Sequence, residues 1–393
     1  MMCAVTASNR GLNTCIIDHN EKLGKKLYIT GKGKCNLTNN SSIDNHLNNI
    51  VTNSKFMYSA LNAFSPFDTM EFFENNGLKL RTERGKRVFP DSDKSSDVIK
   101  TLTNVLTKNK VKVDLNKTIK SISECDGLFN VLCSDGYTYT TNSLVIATGG
   151  LSYSGTGATD FGYTIAKQFG HKIVAPKPAL CPIVVKDDIS TLNGLSLRNI
   201  ELNCEIKGKK FSEFGDLLFT YNSFTGPTAL TLSSKINKLE LKNAKLYIDL
   251  KPALSLEQLK AKLIREIKEF AKKDLKNYLY SILPSSFVEF FMDKIKLQNK
   301  KMADINAVER DIIINHLKKF DFILKNLDNI NVGIVTSGGV HVKEIDSKTC
   351  MSKLKRNLYF VGEVLDIDAL TGGFNLQIAW STGHLAGLSI SKN

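Results

Sequence analysis

The chain has 393 residues, 42% of them hydrophobic, which is enough for two or three cores. No apolar run reaches the ~18 residues of a membrane-spanning helix and no charged-then-apolar leader opens the chain, so a cytoplasmic setting is expected. The formal charge of +14 comes from 53 Lys and Arg against 39 Asp and Glu, but the cations are mostly dispersed lysines. They read as solvated faces rather than a nucleic-acid stripe, although a polyanionic cofactor would also benefit from the field.

In chain order, Ala4 to Arg10 reads as the tail of a helix that Gly11 ends, and Thr14 to Ile17 as a short buried strand closed by Asp18. Helix, glycine turn, strand and terminal acid form the second half of a Rossmann unit, whose acid holds a ribose hydroxyl. The first half, a strand and a G-x-G-x-x-G turn, is expected upstream of Met1. Lys22 to Asn39 is basic and punctuated by glycines, able to wrap a pyrophosphate with Lys25, Lys26, Lys34 and backbone amides, or to be an exposed loop. Arg81, Arg84 and Arg87 read as an exposed turn, with a basic rim over an acidic ligand as the alternative.

From Val111 the pattern alternates. The runs VKVDL, TIKSI, LFNVLC and YTYTT, with Asp126-Gly127 and Asp135-Gly136 turns, predict a meander of three or four strands. It feeds Ser143 to Ala147, a buried strand that Thr148-Gly149-Gly150 stops. Pro176 to Pro182 reads as a hinge. Residues 183–335 form an inserted domain, β-rich over 183–252 and helical over 253–328, between a first part (1–182) and a second part (336–393) of one α/β domain.

The closing stretch carries the densest chemistry. Leu358 to Val361 is a buried strand that stops at Gly362, and Glu363 follows where a strand's carboxyl end meets a ligand crevice. The turn Thr371-Gly372-Gly373-Phe374-Asn375 then opens a helix with apolar residues at helical spacing. Strand, acid, glycine turn and helix start together make an anion or cofactor site. The eight cysteines form neither a CxxC pair nor a ligand cluster, so reduced thiols and no metal site are expected. Cys15 and Cys133, in apolar runs, should pack as small hydrophobes.

Six blocks in this order, LGKKLYITGKGKCNLTN, VFPDSD, ATGGLSYSGTG, DLLFTYNSFTGP, VTSGGV and LYFVGEVLDIDALTGGFNLQIAWSTG, resemble the YhiN/BaiN-type flavoproteins. Members are NAD(P)/FAD-dependent oxidoreductases, including aminoacetone-oxidase-like FAD enzymes. The resemblance implies a Rossmann-like, two-dinucleotide-binding-type FAD domain with an inserted β plus helical domain. By it, Asp18 holds the adenosine ribose. Lys25, Lys26, Gly31, Gly33, Lys34, Cys35, Asn36 and Thr38 line the pyrophosphate and flavin side. Gly149 and Gly150 end the strand beside the cofactor, and Gly362 and Glu363 meet the ribityl–pyrophosphate region. Gly372, Gly373, Asn375, Leu376 and Gln377 reach the isoalloxazine. Tyr221 stands where the family usually carries histidine.

An FAD-dependent oxidoreductase is the expected function, passing a hydride through the flavin N5 between NAD(P)H or an organic donor and a small molecule. Tyr153 and Tyr221 are the candidates for proton transfer, against packing or orienting roles. A flavin-binding or RNA-associated protein without turnover, or a truncated product that binds nothing, are the other readings.

Overall fold

Two parallel strand pairs anchor the first of two units in the computed structural model, which describes residues 1–391. That unit comprises Met1–Ala179 and the chain from Gly333 on, and Leu180–Val332 forms the second. The unit boundaries lie three residues before the limits of 183 and 335 expected from the pattern.

In the first unit Cys15–Ile17 runs parallel to Lys112–Asp114, and Leu144–Ile146 runs parallel to Leu358–Phe360. Parallel partners need a crossover, so strands adjacent in space come from chain segments far apart in sequence. The opening helix is Met2–Asn9 and Gly11 follows it at φ +83°, as the helix–turn pattern requires. Met2, Cys3 and Thr6 lie against Gly383 and Gly387 of the closing helix, Phe374–Ser389, while Ala4 and Val5 pack with Val105 and Leu106.

Some expectations need correction. Lys112–Asp114 leaves the meander for its parallel partner, so three antiparallel strands remain: Ile119–Cys125, Leu128–Cys133 and Thr138–Thr141. The two Asp-Gly turns can join only three strands, and Lys117 N instead donates to Asp18 O at 3.0 Å. Of the run 143–147 only Ile146 is buried, and Ala147 is exposed. Leu144–Ile146 pairs along one edge only among the described residues, whereas Leu358–Phe360 is buried throughout. Cys133 is buried as expected, but Cys15 is exposed because its strand also pairs on one side.

The second unit is a closed six-stranded barrel. Its strands lie in the order Ile183–Val185, Ser223–Thr225, Lys209–Phe219, Ser196–Ile206, Lys245–Asp249 and Phe320–Leu327. Closure removes exposed sheet edges. Leu202, Leu217, Phe219, Phe224, Ile248 and Phe320 fill the interior at 0% exposure. Helices between Leu256 and Lys318 pack on this core.

Two parts of the insert depart from the sequence reading. Gly226–Ile236, inside the β-rich part, is a helix started by Pro227 in its first turn. Phe320–Leu327, inside the helical part, is a strand. Phe320, Phe322 and Leu324 are buried between exposed neighbours, and that period of two decides it. No helix among the described residues is long and apolar enough to cross a membrane.

Candidate cofactor site

Glu363 is the meeting point of four segments of the first unit. It follows the strand Leu358–Phe360 across Gly362, which bends the chain at φ +72°. Lys26, in the short helix Lys25–Ile29, reaches both carboxylate oxygens at 2.9 and 2.7 Å. Its ammonium also donates to Ser152 Oγ at 2.7 Å. Thr336, in Val335–Val340, donates its backbone N–H to Glu363 Oε1 at 2.9 Å. The Thr336 hydroxyl oxygen accepts from the amides of Leu151 and Ser152 at 2.8 and 3.1 Å. Gly150 lets these groups close up, because a Cβ there would collide with Thr336 and with Glu363 Oε1. Side-chain exposures of 28% for Lys26 and 21% for Glu363 make this a shielded, charge-assisted pair rather than a surface contact.

The glycine turn forms the second cluster. Gly373 takes φ +97° against the Thr38 carbonyl, where any side chain would clash, and this lets Phe374–Ser389 start beside Thr38. With its amide oriented to suit its neighbours, Asn36 accepts from Gly373 N at 2.9 Å and donates to Thr38 O at 3.1 Å. Asn39 donates to Gly372 O at 3.1 Å. Asn375 returns to the preceding loop: it accepts from Ala369 N at 2.9 Å and donates to Ala369 O at 2.8 Å.

Gln377 is fully buried. Its oxygen accepts from Thr38 and Thr69 at 2.6 and 2.9 Å, and its nitrogen donates to Phe64 O and Ser381 Oγ at 3.1 and 2.9 Å. Leu376, partly buried, packs against the cluster that holds Phe73, Leu102 and Trp380. Gln377 therefore braces the turn from within the core, and Leu376 from its margin.

Asp18 sits at the carboxyl end of Cys15–Ile17, and its Oδ1 accepts from the backbone and side-chain nitrogens of Asn20 at 2.9 and 3.0 Å. The polar glycine loop comes to the same place: a Cβ on Gly157 would meet Asn20 and His19. Lys25 and Lys34 make exposed ion pairs with Glu21 and Asp93, each at 3.0 Å, so only Lys26 of the three joins the half-buried Glu363 cluster. Gly31 packs against Asn36 N. Cys35 is buried at φ +59°, and burial pushes its thiol up to about 12.

Tyr153 lies in the glycine loop at φ +58° and ψ +61°, a costly backbone for a tyrosine. Tyr221 belongs to the second unit and is 71% exposed. Three contributors were not singled out from the sequence. Ser152 and Thr336 lie beside the glycine pairs of two family blocks, a signal that could have found them. Tyr163, 5% exposed, has a buried hydroxyl without a partner. Burial, then the charges of Glu363 and Asp366, push its phenol upward.

These residues fit FAD. An acid ends a parallel strand, and an unpartnered buried hydroxyl lies within electrostatic reach of Glu363. The Cα atoms of Gly33, Gly149 and Gly155 face open space, leaving bare backbone accessible. Cavities of about 240 and 180 Å³ lie elsewhere, by Gly11 and Asn109 and by Phe64 and His384.

The profile of the HI0933-like protein Rossmann domain matches residues 1–389. The chain belongs to this family. It is an FAD-dependent oxidoreductase of the YhiN/BaiN type. A ribosomal RNA dihydrouridine synthase of Haemophilus influenzae is 30% identical, over 100% of this chain and 96% of that protein. The protein of that name in Escherichia coli is 29% identical, over 97% of this chain and 93% of its own. A 3-dehydro-bile acid delta(4,6)-reductase of Clostridium scindens is 25% identical, over 99% and 95%. The family member shares its fold with a 3-ketosteroid-delta4-(5alpha)-dehydrogenase from Rhodococcus jostii, at TM-score 0.52 and 12% identity over 99% of this chain and 93% of that one. A 3-ketosteroid delta1-dehydrogenase from Sterolibacterium denitrificans gives TM-score 0.50 and 12% identity, over 98% and 96%.

Proposed function

We propose that this protein reduces a carbon–carbon double bond conjugated to a carbonyl, with NAD(P)H as the electron source. One observation carries the reading: relatives aligned along nearly the whole chain bear names that differ in substrate but share that bond. Dihydrouridine arises by saturating the ring double bond of uracil, which is conjugated to a carbonyl. A delta(4,6)-reductase acting on a 3-dehydro bile acid saturates double bonds conjugated to the 3-oxo group.

Bound FAD would supply the hydride at N5. The chain's own work is to hold and orient: Asp18 for a ribose hydroxyl, the Glu363 cluster and the glycine turn for the middle of the cofactor, and bare glycine backbone for the phosphates. Saturating the bond also requires a proton. Tyr153 is the better of the two tyrosines for that role, because the first unit holds it in a strained loop while Tyr221 is widely exposed in the second.

Uracil in RNA is the substrate class to test first, since two relatives are named for making dihydrouridine in ribosomal RNA. The bile-acid relative favours a steroid-like enone as the second reading. The test is anaerobic: reduced protein is mixed with unmodified ribosomal RNA or with a steroid enone, following flavin reoxidation and the mass of the product. Reoxidation with a gain of two hydrogens identifies the substrate. Flavin that stays reduced with both substrates and reoxidises only when oxygen is admitted afterwards would sink the proposal.

A further inference from the structure

We infer that Lys26 is a positioning residue acting through Glu363 and does not hold the cofactor's phosphates directly. The inference deepens the flavoprotein reading and rests on it. The basic loop 22–39 invites the opposite view, three lysines around a pyrophosphate. The geometry separates them. Lys25 and Lys34 pair with Glu21 and Asp93 at the surface. Lys26 directs its ammonium to three oxygens, both of Glu363 and the hydroxyl of Ser152, all within 2.9 Å. An ammonium has three donors, so these contacts occupy it.

Glu363 is similarly committed. Oε1 accepts from Lys26, from Thr336 N at 2.9 Å and from Ser152 Oγ at 3.3 Å. The network ties the short helix after Gly24, the glycine loop at 150–152, the start of Val335–Val340 and the turn after Leu358–Phe360. Each segment carries a residue or glycine of the cofactor site. Lys26 also neutralises a carboxylate that would repel the anionic cofactor. Removing either partner leaves the other shielded and unpaired, so loss of Lys26 and loss of Glu363 amount to one lesion.

A double-mutant cycle on the full chain tests this, titrating FAD onto flavin-free protein by fluorescence quenching and recording the thermal midpoint of the same flavin-free samples. Lys26→Met and Glu363→Gln should each weaken FAD binding about tenfold, the scale of one charge-assisted hydrogen bond. The double variant should lose little more than either single one, because the effects of coupled residues do not add. Lys26→Arg should recover most of the affinity, and the flavin-free midpoints should show the same non-additivity. If Lys26→Met does not fold, the exchange of charges, Lys26→Glu with Glu363→Lys, should restore binding lost in Lys26→Glu alone. Additive losses, about a hundredfold in the double variant, would make Lys26 a direct phosphate ligand and overturn the inference. Lowered midpoints with unchanged FAD affinity would also overturn it, leaving a purely structural pair. A wild-type chain that takes up no FAD would fail differently, removing the flavoprotein reading itself.

Discussion

The two units solve opposite problems. The barrel of Leu180–Val332 closes on itself and fills its interior with aromatic and branched side chains, with Phe219 packed among Phe224, Phe287 and Phe322. The first unit has two separate short parallel pairs and uses buried and half-buried polar groups to tie distant segments together, Gln377 to Thr38 and Thr69, and Glu363 to Lys26 and Thr336. A dry core is self-sufficient, so a truncation inside it costs stability and little else. A polar network holds a specific geometry and is costly when one member is lost. The site belongs to the unit built the second way.

The largest break in this comparison should come from Phe219→Ala, which opens a cavity in the barrel and should cost about 3–5 kcal/mol. Urea unfolding would show the loss, while molecules that remain folded keep their flavin. Gln377→Leu should cost about 1–3 kcal/mol, because it leaves the buried Thr38 hydroxyl without its acceptor, while Thr69 keeps Ser65 O and Phe64 O keeps Ser381 Oγ. Unlike the barrel variant it should lower flavin content together with stability, as Thr38 and the glycine turn lose their brace.

Acidification should act on the first unit in the same sense but more gently. Burial lowers the pKa of His46, His171 and His384, all in that unit. The folded state keeps these rings neutral where the unfolded chain would protonate them. Their contribution is therefore complete above the unfolded value of about 6.5 and is lost as pH falls below it. Thermal midpoints measured downward from neutral pH should fall, and replacing His384 by Gln should flatten the slope. The smallest effect is expected of Tyr221→Phe, where a 71% exposed side chain should change stability by less than about 0.5 kcal/mol. Initial rates should be unchanged, whereas Tyr153→Phe slows turnover.

The sequence was most informative where local chemistry is self-contained. The opening helix with its Gly11 stop, the strand before Asp18, and the strand–acid–glycine turn–helix run from Leu358 could all be read because each signal lies within a few residues. The strand at Phe320–Leu327 reads from sequence as part of the helical region: burial alternates only from Phe320 to Leu324, Ile323 on its exposed face blurs the pattern, and the lysine-rich helices before it mask the change of period. What could not be read is which distant groups would meet. Nothing local says that Lys26 rather than Lys25 or Lys34 finds Glu363, some 340 residues on, or that Thr336 supplies the amide between them. Gln377 looked like a ligand-facing residue beside the glycine turn; only the three-dimensional arrangement turns its amide inward onto Thr38, Thr69, Phe64 and Ser381.

The most direct test of the account is the visible absorption spectrum of the purified chain after incubation with FAD and removal of the excess. The protein should show a bound flavin spectrum that NAD(P)H bleaches without oxygen and that a substrate with an activated double bond restores. A chain that is folded by circular dichroism yet retains no flavin would contradict it.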